Sequence, residues 1–309
     1  MYYGSDNSIT SCANYGAVTG TYRQVGGMVG YFDSGTIQNS ANYGDITGKD
    51  NVGNLIGEGV ICNLNNVLGT GNVTATSDTE RAGLLFGRIS KSSSAASGIL
   101  AYNSSAKLTI NGAEQTGEAV KAIGEGSLTY PEGVNEADVI KAFTAEQLKS
   151  GEVAYLLAEG KALVEQAWGQ QLGKDQYPVP GSDYKVIRAA QGDKDTNGND
   201  TYWATFSNPT NDVTLSVPSD RSLNVYNATV SGGKLTLTQR SDYQVAKEEG
   251  VLLKTDGEYV NAKANKTNEL TAASSDENHL VATPAETQIV TAAGCKLYRL
   301  TYNNATTKE

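Results

Sequence analysis

The sequence predicts a mainly β protein: a short parallel β-helix-like solenoid, a small helical cap, then an antiparallel β-sandwich-like domain. Three observations lead there. The run Ile9-Thr-Ser-Cys-Ala-Asn14-Tyr15-Gly16-Ala-Val18-Thr19-Gly20 returns 28 residues later as Ile37-Gln-Asn-Ser-Ala-Asn42-Tyr43-Gly44-Asp-Ile46-Thr47-Gly48. A fixed period of roughly 20–50 residues marks stacked supersecondary units. Composition agrees: 34 Gly against 6 Pro, 19% charged residues, and abundant Asn, Thr and Ser suit short strands and tight turns better than helical bundles. From about Tyr184 onward, short runs alternate polar and apolar residues between Gly, Asn, Asp and Ser, the pattern of antiparallel strands. The 309 residues suffice for two or three domains. We read 1–128 as solenoid, 129–183 as helical cap or linker, and 184–309 as the β domain.

Two further windings align with the repeat. The third is Ile61-Cys-Asn-Leu-Asn-Asn66, a short insertion, then Gly71-Asn-Val73-Thr74; the fourth is degenerate, with Ile99 and later Leu108-Thr109. Aliphatic runs ending in glycine close the windings: Val25–Gly30, Val52–Gly57, Ala82–Gly87 and, more weakly, Ala119–Gly124. Three apolar columns result. One holds Ile9, Ile37, Ile61 and Ile99; the next Val18, Ile46, Val73 and Leu108; the last Val29, Ile56, Phe86 and Ile123. No winding is large enough to bury its own apolar face, so stacking like on like builds the core. Neighbouring windings are expected about 4.8 Å apart. Each buried Ile contributes roughly 1.5–3 kcal/mol.

Recurrent glycines (Gly16/Gly44, Gly20/Gly48, Gly30/Gly57/Gly87) mark corners where the backbone turns or approaches closely. Asn14, Asn42 and Asn66 form a candidate amide ladder, and Thr19, Thr47 and Thr74 a candidate hydroxyl ladder. The alternative is that they are turn formers only. The cysteines are Cys12, Cys62 and Cys295. Cys12 aligns with Ser40 and Cys62 with Gln38, so they share no stacking position. No CxxC pair suggests zinc.

Past Gly126 the pattern changes. Ala137–Phe143 reads as strand or helix. Thr144-Ala-Glu-Gln147 has the form of a capping box, which predicts short helices over 144–150 and 151–158, parted near Gly151 and covering the end of the solenoid. Strands are expected at Tyr202–Phe206, Val213–Val217, Lys234–Thr238, Gly250–Lys254 and Lys296–Tyr302.

Charge narrows the partners. The net charge is −10 with a pI near 4.8, and no basic stripe of a nucleic-acid binder is present. No run of about 18 apolar residues spans a membrane. No secretory signal is visible, and the chain opens directly onto the first repeat strand. We therefore expect a segment of a longer protein.

Val-Gly-Gly-Met-Val-Gly set between Asn-Tyr-Gly corners resembles the GLUG repeat of bacterial cell-surface proteins. The segment Thr144–Leu157, followed by Trp168-Gly-Gln-Gln-Leu-Gly-Lys-Asp175-Gln-Tyr-Pro178, is similar to a linker behind such repeats in proteins of gut anaerobes. Gly250–Lys254, Asn278-His-Leu280 and Lys296–Leu300 resemble a C-terminal β module of the same proteins. The resemblance implies a secreted or cell-surface location and an adhesin-like or scaffolding role, with host or bacterial protein or glycan as partner. It supplies no catalytic residues. GLUG repeats also occur in metallopeptidases that cleave immunoglobulin A, but this chain has no HExxH string.

The one histidine, His279, reads as a surface or edge residue, and a zinc protease or a Ser–His–Asp triad needs more. Asp193, Asp195 and Asn197 stand at positions one, three and five of a calcium-type loop, with Gly198 at six. Ala204 replaces the bidentate Glu at twelve, and Asp200 is a substitute carboxylate. The competing reading is a type I′ hairpin turn on Asn197-Gly198. Apart from that calcium, no cofactor is expected. Tyr15 and Tyr43 share a column; such rings stack on sugars or on their own neighbours. Carboxylates such as Asp33 and Asp45 form no recurring column, so the expectation is a non-enzymatic protein of adhesion or display. A carbohydrate-processing enzyme, a carbohydrate-binding accessory module and a passive stalk are the alternatives.

Overall fold

The structure is a computed structural model and describes residues 7–91, 93–159 and 161–280. It divides into two compact units, Met1–Lys185 and Val186–Glu309.

The first unit is a β-solenoid whose windings pair in parallel, edge to edge. One sheet runs Asn7–Thr10, Val29–Asn42, Ile56–Gly69, Phe86–Ile89, Ile123–Glu125. A second joins Arg23–Gly26, Asp50–Gly53 and Ala82–Gly83. A third joins Val18–Thr19, Ile46–Gly48, Val73–Ala75 and Leu108–Ile110, and the antiparallel return Ala113–Glu114 closes it.

Two apolar columns stand as the repeat predicts. Val18, Ile46, Val73 and Leu108 are paired in register, as are Val29, Ile56, Phe86 and Ile123. The remaining column is corrected. Ile9 pairs with Ile37, but Ile37 pairs with Leu64, and Leu64 with Ala96. Ile61 stands opposite Ser34 and is 38% exposed. Ile99 packs in an outer cluster instead of the inner core. The third winding keeps a spacing of 27 (64 − 37), shared by Asn42 with Gly69 and by Ile46 with Val73, so it holds no insertion. Matching Ile to Ile misplaced the register; the core accepts Leu64 because the site selects apolar volume, not residue identity. The same shift puts Cys62 opposite Gly35 instead of Gln38.

Register also explains the asparagines. Asn14 Nδ2 donates to Asn42 Oδ1 at 2.7 Å, and Asn42 Nδ2 to the Gly44 carbonyl at 2.8 Å. The third position is Gly69, not Asn66. Asn54 fills the space from the opposite wall, donating to the Gly71 carbonyl at 3.0 Å. A Cβ on Gly27 would lie 2.2 Å from the Asn42 amide carbon, and one on Gly69 would lie 2.7 Å from Asn54 Oδ1. Asn and Gly thus exchange walls between windings, Gly27 with Asn42 and then Asn54 with Gly69, which keeps each layer filled. Asn66 instead hydrogen-bonds Glu159 and accepts from the Ile99 N–H.

The ambiguous segment is both helix and strand: a turn over Glu136–Val139, then Ile140–Phe143 paired with Leu100–Asn103. Leu128 and Val139 join the inner core there. Two short helices follow, Ala145–Ser150 and Glu152–Leu157, with Gly151 at φ 99° between them. The capping box is present: Gln147 N donates to Thr144 Oγ1 at 3.2 Å and Thr144 N to Gln147 Oε1 at 3.0 Å.

These helices cover the flank of the solenoid, not its end. Ala41, Leu68 and Ala101 hold one outward position in three successive windings, and Leu148, Val153, Leu157 and Trp168 pack onto them. The Trp-x-Gln-x-Leu-Gly-x-Asp-x-Tyr-Pro string forms the rest of this strap. Trp168 Nε1 donates to Asn39 Oδ1 at 3.2 Å. Gln170 Nε2 donates to the Leu148 carbonyl at 2.8 Å, satisfying an acceptor freed at the helix end. Asp175 Oδ2 accepts from Gln171 N at 2.6 Å, and Pro178 O accepts from Tyr43 Oη at 2.5 Å.

The second unit is built of antiparallel strands. One sheet orders Ala190–Gln191, Tyr202–Ser207, Gly250–Thr255, Leu223–Ser231, Lys234–Gln239. The other orders Tyr184–Arg188, Tyr259–Ala264, Val213–Ser216, Gln244–Val245. Val213 and Leu215 are buried while Thr214 and Ser216 are half-buried, the alternation of a one-sided sheet. Phe206, Val225, Leu253 and Val260 are buried with them. The expected strand Lys296–Tyr302 and Cys295 lie outside the described residues. Among the described residues, no helix is long and apolar enough to cross a membrane.

Candidate functional site

The solenoid carries an ionic column that the repeat analysis missed. Glu58, Arg88 and Glu125 occupy one register position in successive windings. Arg88 bonds Glu58 Oε1 at 3.2 Å and Glu125 Oε1 at 2.9 Å, while Arg81 bonds Glu125 Oε2 at 2.7 Å. Gln24 and Asn51 donate to Glu58 Oε2 at 2.8 and 2.7 Å. These carboxylates are committed to neighbouring windings. The hydrogen bond from Arg81, with the charge of Arg88, holds Glu125 below the ordinary carboxylate range against its desolvation. A depressed folded-state value stabilises the fold above the unfolded value of 4.5, and that contribution is lost as pH falls through the folded value. Glu125→Gln should therefore lower the thermal midpoint at pH 7. The difference should close as the pH is taken down through that window. An equal difference at pH 7 and pH 2.5 in thermal melts would contradict this linkage.

The calcium-type loop lies in the second unit, between Ala190–Gln191 and Tyr202–Ser207. Asp195 Oδ1 accepts from Asn197 N at 2.8 Å and Asn199 N at 2.9 Å, and Oδ2 from Asn199 Nδ2 at 3.1 Å. Asp200 Oδ1 pairs with Lys194 Nζ at 2.9 Å, and that ammonium also reaches the Gly198 carbonyl at 3.2 Å. The Asp193 carbonyl accepts from Thr201 Oγ1. Loop N–H groups and Lys194 hold the Asp195 and Asp200 carboxyls, respectively, below their ordinary range. Gly198 alone has positive φ, 85°, so the turn is not type I′, which needs Asn197 there as well. Among the described residues no three His, Cys, Asp or Glu side chains are grouped to hold a metal ion. With an ammonium already on the carboxylate, excess calcium should leave the unfolding temperature unchanged. A rise in calorimetry would restore the calcium assignment to Asp193, Asp195, Asn197 and Asp200.

The tyrosines form a stack closed on one side. The rings of Tyr15 and Tyr43 are 4.7 Å apart, and Tyr177 from the strap stacks on Tyr43 at 5.7 Å. Burial pushes the Tyr43 hydroxyl above the ordinary phenol range. Tyr15 remains 65% exposed. His279 is exposed, and its Nδ1 accepts from Val230 N at 2.9 Å beside the strand Leu223–Ser231. Cys62 is buried, which pushes its thiol up to about 12, and Cys12 is exposed; both are free thiols.

Sequence reasoning did not find the open cleft of the second unit, about 710 Å³ in volume, where the loop from Lys194 to Thr201 meets Ser222, Asn224, Lys254 and Asp256. Beside it, Trp203, Lys254 and Asn224 stand side by side on three neighbouring strands. The Trp203 ring stacks with Tyr226 at 6.2 Å, and Lys254 Nζ lies 5.3 Å from its centre. One signal was available: Trp203 alternates with the apolar, inward positions of a predicted strand.

No family model matches the chain, and no curated protein matches it. Among solved structures it is similar to a Bacteroides ovatus protein described as a "putative immunoglobulin A1 protease". The sequences are 18% identical and the TM-score is 0.37; the match covers 56% of this chain and 57% of that one.

Proposed function

We propose that this chain is a non-enzymatic bacterial protein, secreted or held at the cell surface, that acts in adhesion or display, with GLUG-type windings as its support. The observation that carries this reading is how the solenoid spends its recurring polar groups. Glu58, Arg88, Glu125, Asn14 and Asn42 bind one another across windings. That chemistry suits a rigid scaffold: among the described residues the carboxylates of the recurring column, Glu58 and Glu125, are paired with Arg88 instead of standing free for acid–base work. Host or bacterial protein or glycan is the partner. The cleft of the second unit favours one second reading, a carbohydrate-binding accessory module.

The test is adhesion of beads coated with the protein to epithelial cells, mucin and bacteria, beside an equally acidic control protein. Retention above the control is expected. Retention equal to the control on every surface would leave a passive stalk. Release of reducing ends from polysaccharide would establish an enzyme.

A further inference from the structure

We propose that the first winding of the solenoid is a docking face for a second copy of this chain, the two solenoids meeting end to end about a twofold axis. This pairing is independent of the adhesive reading above.

The two ends of the stack differ. At the far end, Leu108–Ile110 is covered by the antiparallel return Ala113–Glu114, Leu100–Asn103 by Ile140–Phe143, and the inner core by Leu128 and Val139. At the near end, Asn7–Thr10, Ala13–Asn14, Val18–Thr19 and Arg23–Gly26 all stand at sheet edges among the described residues. The apolar columns open there as well. Ile37, Ile46 and Ile56 are at most 1% exposed, whereas Ile9, Val18 and Val29, one winding earlier, are only half-buried. Tyr15 and Tyr22, at 65% and 68%, are the most exposed large apolar side chains among the described residues.

Natural sheet edges are blunted by charge, proline, bulges or a cover. Asn7–Met28 holds one charged residue, Arg23, and no proline, in a chain that is 19% charged. Its corners are regular as well. Ser11 and Gln24 have φ of 52° and 66°, matching Asn39 at 48° and Asn51 at 51° one winding on. The edge therefore keeps the geometry on which the second winding already pairs, and a further occupant extends an interface that the fold has built.

Two features select a second copy as that occupant. Near-neutrality makes the face compatible with itself. Identical copies bring one Arg23 each and no opposed rows of charge, on a chain whose net charge of −10 otherwise sets copies apart. The covered far end blocks head-to-tail stacking, which would run on into filaments, and leaves the closed, isologous arrangement. In that arrangement Asn7–Thr10 lies antiparallel to the same strand of the other copy, and backbone hydrogen bonds cross the axis. Ile9, Val18 and Tyr15 lose water on pairing. The dimer carries two copies of any binding surface, which raises avidity.

The test is sedimentation equilibrium of the intact protein across a dilution series. The mass expected at high concentration is twice 32.5 kDa. Ser8 and Thr10 are exposed, so Ser8→Lys combined with Thr10→Lys sets like charges on facing edge strands without entering the core. That variant should keep the wild-type circular dichroism and raise the dimer dissociation constant about tenfold or more. Asn63→Lys combined with Asn65→Lys alters the same outward positions two windings on and should leave the constant unchanged. Should the edge variant fail to fold, Thr19→Lys on another edge strand takes its place. Hydrogen exchange of Val18–Thr19 in the wild type needs no variant and should slow as the protein is concentrated. A wild type that is monomeric at every concentration, or species that grow beyond the dimer, would overturn the pairing. So would a dimer equally tight in the edge variants, equal weakening by the Asn63 and Asn65 changes, or exchange that ignores concentration.

Discussion

Ile37→Asp removes the folded solenoid, while Ile61→Asp leaves its melting where it was. Ile37 is 1% exposed and packs in the inner core between Ile9 and Leu64. A carboxylate there has no cation within the apolar column, and the column has no water to offer. An unpaired buried charge belongs to the few mechanisms that cost more than about 4–5 kcal/mol, against a total stability of about 5–15 kcal/mol. Leu64→Asp should behave the same way, because Leu64 is the register partner. Ile61, 38% exposed and opposite Ser34, should change stability by no more than about 0.5 kcal/mol. Thermal melts of the three variants by circular dichroism decide the winding register directly. A folded Ile37→Asp, or an unfolded Ile61→Asp beside a folded Leu64→Asp, would return the third winding to the shorter alignment.

Trp168→Ala should cost about 3–5 kcal/mol and release the strap from the solenoid. Its side chain is fully buried against Ala41, Leu68 and Ala101, and its N–H is spent on Asn39. Truncation leaves a cavity on the flank and an unpaired amide oxygen. Hydrogen exchange is the informative measurement. Protection should fall in Ala145–Ser150 and Glu152–Leu157, yet persist in Ile46–Gly48 and Val73–Ala75, which belong to the inner stack. Uniform loss in all four segments would show that strap and stack unfold as one element. Unchanged protection would show that Trp168 does not hold the strap.

Local chemistry was readable in the sequence. The Thr144–Gln147 capping box needs only four adjacent residues, and the helix formed where that signal stands. Glycine-rich turns and alternating strands are equally short-range. The first pair of windings was readable because nearly every column letter repeats. The third failed because a stacked core selects volume and spacing. Leu64 does the work of Ile37, and Gly69 with Asn54 does the work of Asn42 with Gly27. The ionic column was hidden for a related reason: Glu58, Arg88 and Glu125 differ in identity, and windings of unequal length separate them.

Hydrophobic periodicity and turn residues alone settled that this chain is mainly β and that its N-terminal windings stack, since both depend on contacts repeated at near-constant sequence distance. Only the three-dimensional packing decided which aliphatics meet, which flank the strap covers, and that Trp203, Lys254 and Asn224 share one face beside a cleft. Those contacts join segments with no common period, and they exist only after the sheets have set their register.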